Sequence, residues 1–369
     1  MNWAVIPFAT LALAALTITS ARAECADPAK ALGVERVVEI DTTHGPLYGE
    51  ISVLQREERF LGPKEVVLTF DDGPMPWITG SILDTLDKFC TKATFFSVGR
   101  MAIAYPKSTQ DILARGHTLG GHTWSHPLNL KRLSVAKATD QIERGFSAIA
   151  MAAGQPIAPF FRFPGLSDSN AMLSHLQSRG IAAFTVDVVS NDSYIGSADR
   201  LETYTLDQIE KQNGGIVLFH DIKSATAKAL PRILATLKVR GYKVVHMRAK
   251  APLVPLADYD SDLKPLLEKA MAKGVPSSDG ATATIDGQHA LPFFGSPAVL
   301  KSLSGEAVEV AALAPPARER AVTSADKHRS DDAAIGDAGT RPKARNKWRP
   351  RVKPAKATAD PAPLLFFPY

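Results

Sequence analysis

Val66-Val-Leu-Thr-Phe-Asp-Asp-Gly73 is the stretch on which the fold of this 369-residue chain turns. Its apolar and β-branched residues make a short buried strand. Two adjacent carboxylates, Asp71 and Asp72, stand at the C-terminal end, and Gly73 lets the chain turn away. Successive strand side chains point to opposite faces, so the two acids can serve one neighbourhood only where the strand is ending. Two carboxylates against an apolar strand cost free energy unless a cation or a shared proton compensates. The same three residues also make an ordinary turn cap, and the rest of the chain has to decide between the readings.

Around this strand, from Glu65 to Arg248, strand-like and helix-like runs alternate. Ala93–Val98, His117–Gly121, Phe160–Phe163, Ile181–Val186, Ile216–Phe219 and Lys243–Val245 are the further strand candidates. Helix-length segments separate most of them. Ser134 to Ala153 shows helical spacing, with Val135, Ala138, Ile142 and Ile149 on one side. Such alternation implies an α/β fold with a largely parallel sheet or barrel.

The flanks differ in character. Trp3 to Ser20 is an apolar run without charge, and Ala21-Arg22-Ala23 is a small-x-small cleavage site, so residues 1–23 read as a signal peptide and the chain as exported to the periplasm or cell envelope. An uncleaved anchor is the alternative. Residues 24–64 form an N-terminal extension with one strand-like run, Val37 to Ile40. Residues 65–250 read as the α/β domain, and residues 251–369, rich in Ala, Pro, Ser and Asp, as a largely disordered tail. Asp258 to Asp262 begins like a calcium loop, but Leu263 and Lys269 replace the turn glycine and the closing glutamate, leaving an acidic turn. There are two cysteines, Cys25 and Cys90, which export permits to pair; two free thiols are the alternative. The net charge is +5, yet eight Lys or Arg and no acid lie between Arg341 and Lys356. That basic character belongs to the tail, which either tethers the protein to an anionic envelope polymer or membrane surface or merely solubilises it. No feature points to nucleic acid, and oligomeric state is not legible.

Chemistry concentrates at the strand ends. His122-Thr-Trp-Ser-His126 carries two histidines four apart, which on a helix share one face and hold a single metal. Together with Asp72 they make a three-ligand set with an open position, the pattern of a catalytic zinc centre. Arg162, Asp187, Asp192 and His220-Asp221 stand at or just after other strand ends, where an α/β barrel presents its active-site residues. A serine hydrolase is disfavoured, since no Gly-x-Ser-x-Gly elbow occurs.

Thr69-Phe-Asp-Asp-Gly73, His122 to His126, Arg162-Phe-Pro, Asp187 to Asp192 and Leu218-Phe-His-Asp221 resemble the ordered motifs of the polysaccharide deacetylases, carbohydrate esterase family four. The resemblance covers about half of the chain. It implies a distorted seven-stranded (β/α) barrel and metal-dependent removal of acetyl groups from N-acetylglucosamine-containing polymers: chito-oligosaccharide, peptidoglycan or poly-N-acetylglucosamine. Carried over by position, Asp72, His122 and His126 bind one divalent ion, zinc foremost and Co2+, Ni2+ or Mn2+ as substitutes. Asp71 is then the base and His220 the acid, with Asp192 orienting His220 and Arg162 holding Asp71. Leu218 lines the acetyl pocket, and the Gly165 N–H helps bind the oxyanion. Gly165 and Ser193 stand where the family often has aromatic residues, and Val189 where it often has an acid, which puts the groove wall in question. A weakly active or inactive polysaccharide-binding protein on the same fold is the competing reading.

Overall fold

The computed structural model describes residues 31–51 and 59–273. Its strands are β1 (Arg36–Ile40), β2 (Leu47–Tyr48), β3 (Glu65–Asp71), β4 (Thr94–Ser97), β5 (Thr118–Gly121), β6 (Phe160–Phe161), β7 (Ala182–Phe184), β8 (Val188–Val189), β9 (Gly215–His220) and β10 (Lys243–Ala249). Interleaved with them are helices α1 (Pro76–Lys88), α2 (Gly99–Ala104), α3 (Pro106–Ala114), α4 (Val135–Ala153), α5 (Asn170–Ser178), α6 (Ala198–Gln212) and α7 (Ser224–Val239), and α8 (Asp260–Ala272) follows β10.

The sheet runs β1-β10-β3-β4-β5-β6-β7-β2, with β9 on the other side of β3 and β8 beside β9. Each described ladder is parallel. The expected class, a parallel sheet dressed with helices, is what is found, and the ladder passes through ten short strands among the described residues. β7 and β8 are halves of one bent run. Its first half pairs with β6 and its second with β9, and at the bend Asp187 N–H donates to Ile216 O at 2.9 Å. The strand expected at Ile181–Val186 is found as β7, ending at Phe184, and β8 lies beyond the expected run.

Strand alternation sorts the core into two layers. Val66, Leu68 and Phe70 pack with Phe95 and Phe161 in the layer beneath the helices. Val67 joins Phe96, Phe160, Phe184, Ile216 and Leu218 on the opposite, inner face. Continuing the same parity to the strand ends carries Asp71, Arg162 and His220 to that inner face.

Helix boundaries follow local chemistry. α4 starts at Ser134, whose hydroxyl accepts from Lys137 N–H, and stops at Gly154 with φ 69°. Ala138, Ile142 and Ile149 are buried as expected, whereas Val135, in the first turn, is exposed and Phe146 takes a place in the core. The helix-length segment between β4 and β5 is broken into α2 and α3 at Tyr105-Pro106, because proline suits a helix start and not an interior.

Two expectations about the flanks need correction. β1 and β2 lie in the N-terminal extension, yet they pair with β10 and β7 and so belong to the sheet. The stretch after residue 250 is not patternless at its start: the acidic turn at Asp258–Asp262 is the entry to α8, whose Leu263 is fully buried. Leu253 is also buried, and its N–H donates to Ile157 O at 2.9 Å. Asp260 and Asp262 suit a helix N-terminus by charge. Cys90 takes part in a disulfide bond. Cys25, the signal stretch 1–23 and the basic segment 341–356 lie outside the described residues.

Candidate active site and metal centre

Asp71 closes β3 and is almost fully buried. Its Oδ1 accepts from Arg162 Nη1 at 2.8 Å. Arg162 is itself wholly enclosed and has its donors distributed: Nη1 also to Thr69 Oγ1 at 2.8 Å, Nε to Phe184 O at 3.2 Å, Nη2 to Thr185 O at 3.3 Å. The guanidinium lies 4.2 Å from the centre of the Phe96 ring. A buried cation on this scale is tolerable only when paired and hydrogen-bonded in this way.

The next residue leaves the strand by backbone conformation. Asp72 has φ 78°, in the left-handed region that a residue with a Cβ rarely enters. Its Oδ1 lies 3.5 Å from His122 Nε2 and 3.2 Å from His126 Nε2, and this oxygen is buried without a hydrogen-bond partner. His122 Nδ1 is 2.6 Å from Arg162 O, so Nδ1 is the protonated nitrogen and Nε2 offers its lone pair.

The two histidines do not share a helix. They sit on the loop after β5, where Thr123 (φ 70°) and His126 (φ 57°) are left-handed. The loop is fastened to α4: Trp124 N–H donates to Gln141 O at 2.7 Å and Ser125 N–H to Gln141 Oε1 at 3.0 Å. Gly145 permits the approach, since a Cβ there would lie 2.6 Å from the Thr123 carbonyl carbon. Turn strain, not helical periodicity, therefore converges the imidazoles. Such strained positions persist where surrounding structure over-determines them, as at functional sites.

Across the cluster, His220 Nδ1 meets Asp192 Oδ1 at 2.6 Å, and its Nε2 lies 3.9 Å from Asp72 Oδ2. Asp192 Oδ2 accepts from the His220 N–H at 2.7 Å and from Thr226 Oγ1 at 2.6 Å. Burial works to lower the His220 pKa, but the Asp192 carboxylate overrides it and the ring is pushed up to about 10. His126 goes the other way, because burial dominates and keeps it below the usual imidazole range, in the neutral form that ligates metals. Burial also opposes ionisation of Asp72, yet the His126, His122 and His220 rings together hold its carboxyl well below the usual range.

The remaining expected residues are placed as follows. Leu218 is buried on the inner face, two residues before His220. Gly165 follows Pro164 with φ 59°, and its open side looks toward Leu128 Cδ2, 3.7 Å from where a Cβ would stand. Asp187 serves the frame instead of the site: its two oxygens accept from Glu50 and Ile216 N–H at 2.9 and 2.8 Å. Sequence reasoning assigned no role to Thr69 and Thr226, whose hydroxyls support Arg162 and Asp192, nor to Asp221. A hydroxyl two residues before Asp71, on the same face of the strand, was the available signal for Thr69; Thr226 lies in α7 and had none.

The donor set fits a divalent cation. One atom each from Asp72, His122 and His126 lies within 4.8 Å of the others, two imidazole nitrogens and a carboxylate oxygen, with the oxygen otherwise unsatisfied.

The family model for polysaccharide deacetylase matches residues 59–184, which include Asp71, Asp72, both histidines and Arg162. Residues 59–184 thus carry a polysaccharide deacetylase domain. The chain is 34% identical over 202 residues to the peptidoglycan-N-acetylmuramic acid deacetylase PdaC of Bacillus subtilis, a match covering 54% of this chain and 41% of that protein. It is 29% identical over 211 residues to a chitooligosaccharide deacetylase of a Bradyrhizobium strain, covering 53% and 91% respectively. Among solved structures, a Bdellovibrio bacteriovorus peptidoglycan deacetylase is similar at 31% identity and a TM-score of 0.53, over 62% of each chain. The chain thus spans about two fifths of PdaC's length.

Proposed function

We propose that this chain hydrolyses the N-acetyl group of an N-acetylglucosamine-containing polysaccharide or oligosaccharide in the cell envelope. The observation that carries this reading is the unsatisfied Asp72 Oδ1 between His122 Nε2 and His126 Nε2, flanked by an Arg-held carboxylate and an Asp-held imidazole. Asp72, His122 and His126 would hold a divalent ion, zinc foremost. A cation there supplies Lewis-acid polarisation of the acetyl carbonyl and acidification of a water.

The chain's own groups do the rest. Asp71 has Oδ1 tied to Arg162, which leaves Oδ2, 3.9 Å from His122 Nε2, to take the proton from the attacking water. Arg162 pairs with that carboxylate and fixes its orientation. His220 holds a proton on Nε2 across the neutral range because Asp192 occupies Nδ1, and it delivers that proton to the departing amine. Base and acid come from neighbouring strands β3 and β9, in register at Asp71 and His220, with Asp72 between their side chains. The Gly165 N–H is assigned as a donor to the oxyanion and Leu218 as a wall for the acetyl methyl.

Export through residues 1–23 and tethering through residues 341–356 belong to the same proposal, since the polymers concerned lie outside the cytoplasm. Among the described residues no helix is long and apolar enough to cross a membrane. The test is acetate release from chito-oligosaccharide, peptidoglycan and poly-N-acetylglucosamine, before and after chelation and with Zn2+, Co2+, Ni2+ or Mn2+ restored. Release that is indifferent to chelation sinks the metal assignment. No release from any of the three, with binding retained, favours the inactive polysaccharide-binding reading.

A further inference from the structure

Asp221 has no part in the chemistry above, yet it is almost fully buried at the centre of the hydrogen bonds that shape the Asp71–Gly73 turn. Its N–H donates to Asp71 O at 3.2 Å, the last rung between β9 and β3. Its Oδ1 accepts from Gly73 N–H at 2.9 Å. Its Oδ2 lies 2.7 Å from Thr79 Oγ1, and that hydroxyl in turn accepts from Met75 N–H at 2.7 Å. The Asp221 backbone N–H, its carboxylate and the Thr79 hydroxyl therefore fasten the turn at residues 71, 73 and 75 respectively.

The residue left between these anchors is Asp72. A left-handed conformation in a residue with a Cβ is disfavoured and has to be held by its surroundings. The Asp72 N–H has one long bond of its own, to Phe96 O at 3.3 Å. Its backbone is thus held largely by its neighbours' bonds. Gly73 supports the same reading: its φ is not left-handed, so conformational freedom does not explain the glycine. A Cβ there would lie 2.0 Å from Asp221 Oδ2. The carboxylate sits where any side chain at position 73 would be.

We propose that Asp221 is a positioning residue that clamps the Asp71–Gly73 turn and thereby sets Asp72 for metal binding, with His220 fixed from the adjacent backbone position. The proposal rests on the reading of Asp72, His122 and His126 as metal ligands. A purely structural Asp221 would affect stability alone, whereas a clamp on Asp72 changes metal affinity as well.

The experiment is Co2+ titration of full-length protein, followed by the visible ligand-field bands, alongside thermal unfolding. Asp221→Ala should weaken Co2+ binding about tenfold or more and alter the bands, the size of effect typical of groups that orient a metal ligand. Asp221→Asn keeps an acceptor for Gly73 and gains a donor for Thr79 Oγ1, so it should stay within about threefold of wild type, well inside that span. Asp187→Asn, which loosens a buried frame carboxylate away from the turn, should lower the Tm and leave Co2+ affinity as it was. If Asp221→Ala does not fold, Thr79→Val is read in the same way. Wild-type affinity and spectrum in Asp221→Ala, or in Thr79→Val where only that variant folds, overturn the clamp. So does an Asp221→Asn protein as impaired as Asp221→Ala. Wild-type protein that takes up no Co2+ overturns the metal reading and the clamp with it.

Discussion

β5 carries a histidine just before it and another just after it, and the two live in opposite electrostatic worlds. After the strand, His122 joins His126 and His220 among Asp71, Asp72 and Asp192. Before it, His117 is buried with Nδ1 accepting from Ala93 N–H, and close by His246 Nε2 meets Thr118 Oγ1 at 2.9 Å. Among the described residues the charges acting on this second group are basic: burial lowers both rings, and Lys92, Arg115 and Arg248 reinforce it, taking His246 to about 4 and His117 well below its ordinary value. Thr118 donates its proton to Met247 O, so His246 donates from Nε2, and its lowered pKa keeps the ring neutral near pH 7. Burial alone makes a histidine an inert core residue. Burial with carboxylates makes it a ligand or a proton carrier.

The comparison can be broken most severely at His126. His126→Ala should abolish both divalent-metal content and acetate release, measured by elemental analysis and product assay. Full retention of either would mean that the carboxylate-rich group is not a metal centre. A smaller loss is expected at Asp71: Asp71→Asn should keep its metal and lose roughly 10² to 10⁴ in kcat, the span of a general base.

The inert group gives the next effect. Because His246 titrates lower in the folded chain than in the unfolded one, its contribution is fully present above about pH 6.5 and is lost as pH falls through 4. The shift corresponds to about 3 kcal/mol as an order of magnitude. Urea unfolding of chelated protein should therefore show stability falling across that window, and His246→Gln should flatten the fall. An unchanged pH slope in the variant would remove the contrast. Least affected should be protein truncated after Lys273, which should turn over short oligosaccharides as the full chain does while losing salt-sensitive retention on envelope fractions. Equal co-sedimentation at low salt would leave the basic segment without a tethering role.

The sequence made the strand ends legible because apolar runs followed at once by Asp, His or Arg are unusual, and the parity of Val67, Thr69 and Asp71 could be counted. It concealed what depends on backbone conformation. Nothing local says that Thr123 and His126 are left-handed, so the His-x-x-x-His spacing suggested a helix. Nor does it say that Gly73 exists to admit Asp221, a contact between residues 148 positions apart. α8 was hidden by Pro265 and an acidic opening, and its burial depends on α4, which no pattern within residues 257–273 records.

Arg162 has an evolutionary consequence. With no exposure at all, it is a fixed positive charge whose nearest neutralising group is the proposed base. Removing one member of a buried pair typically destabilises a protein by about 3–5 kcal/mol. A lineage released from selection for turnover would thus still be selected to keep a hydrogen-bond acceptor at position 71, which asparagine retains and an apolar residue does not. Decay of activity on this scaffold should begin at groups whose loss the core does not feel, and an acceptor still bonded to Arg162 in a descendant is a record of folding, not proof of catalysis.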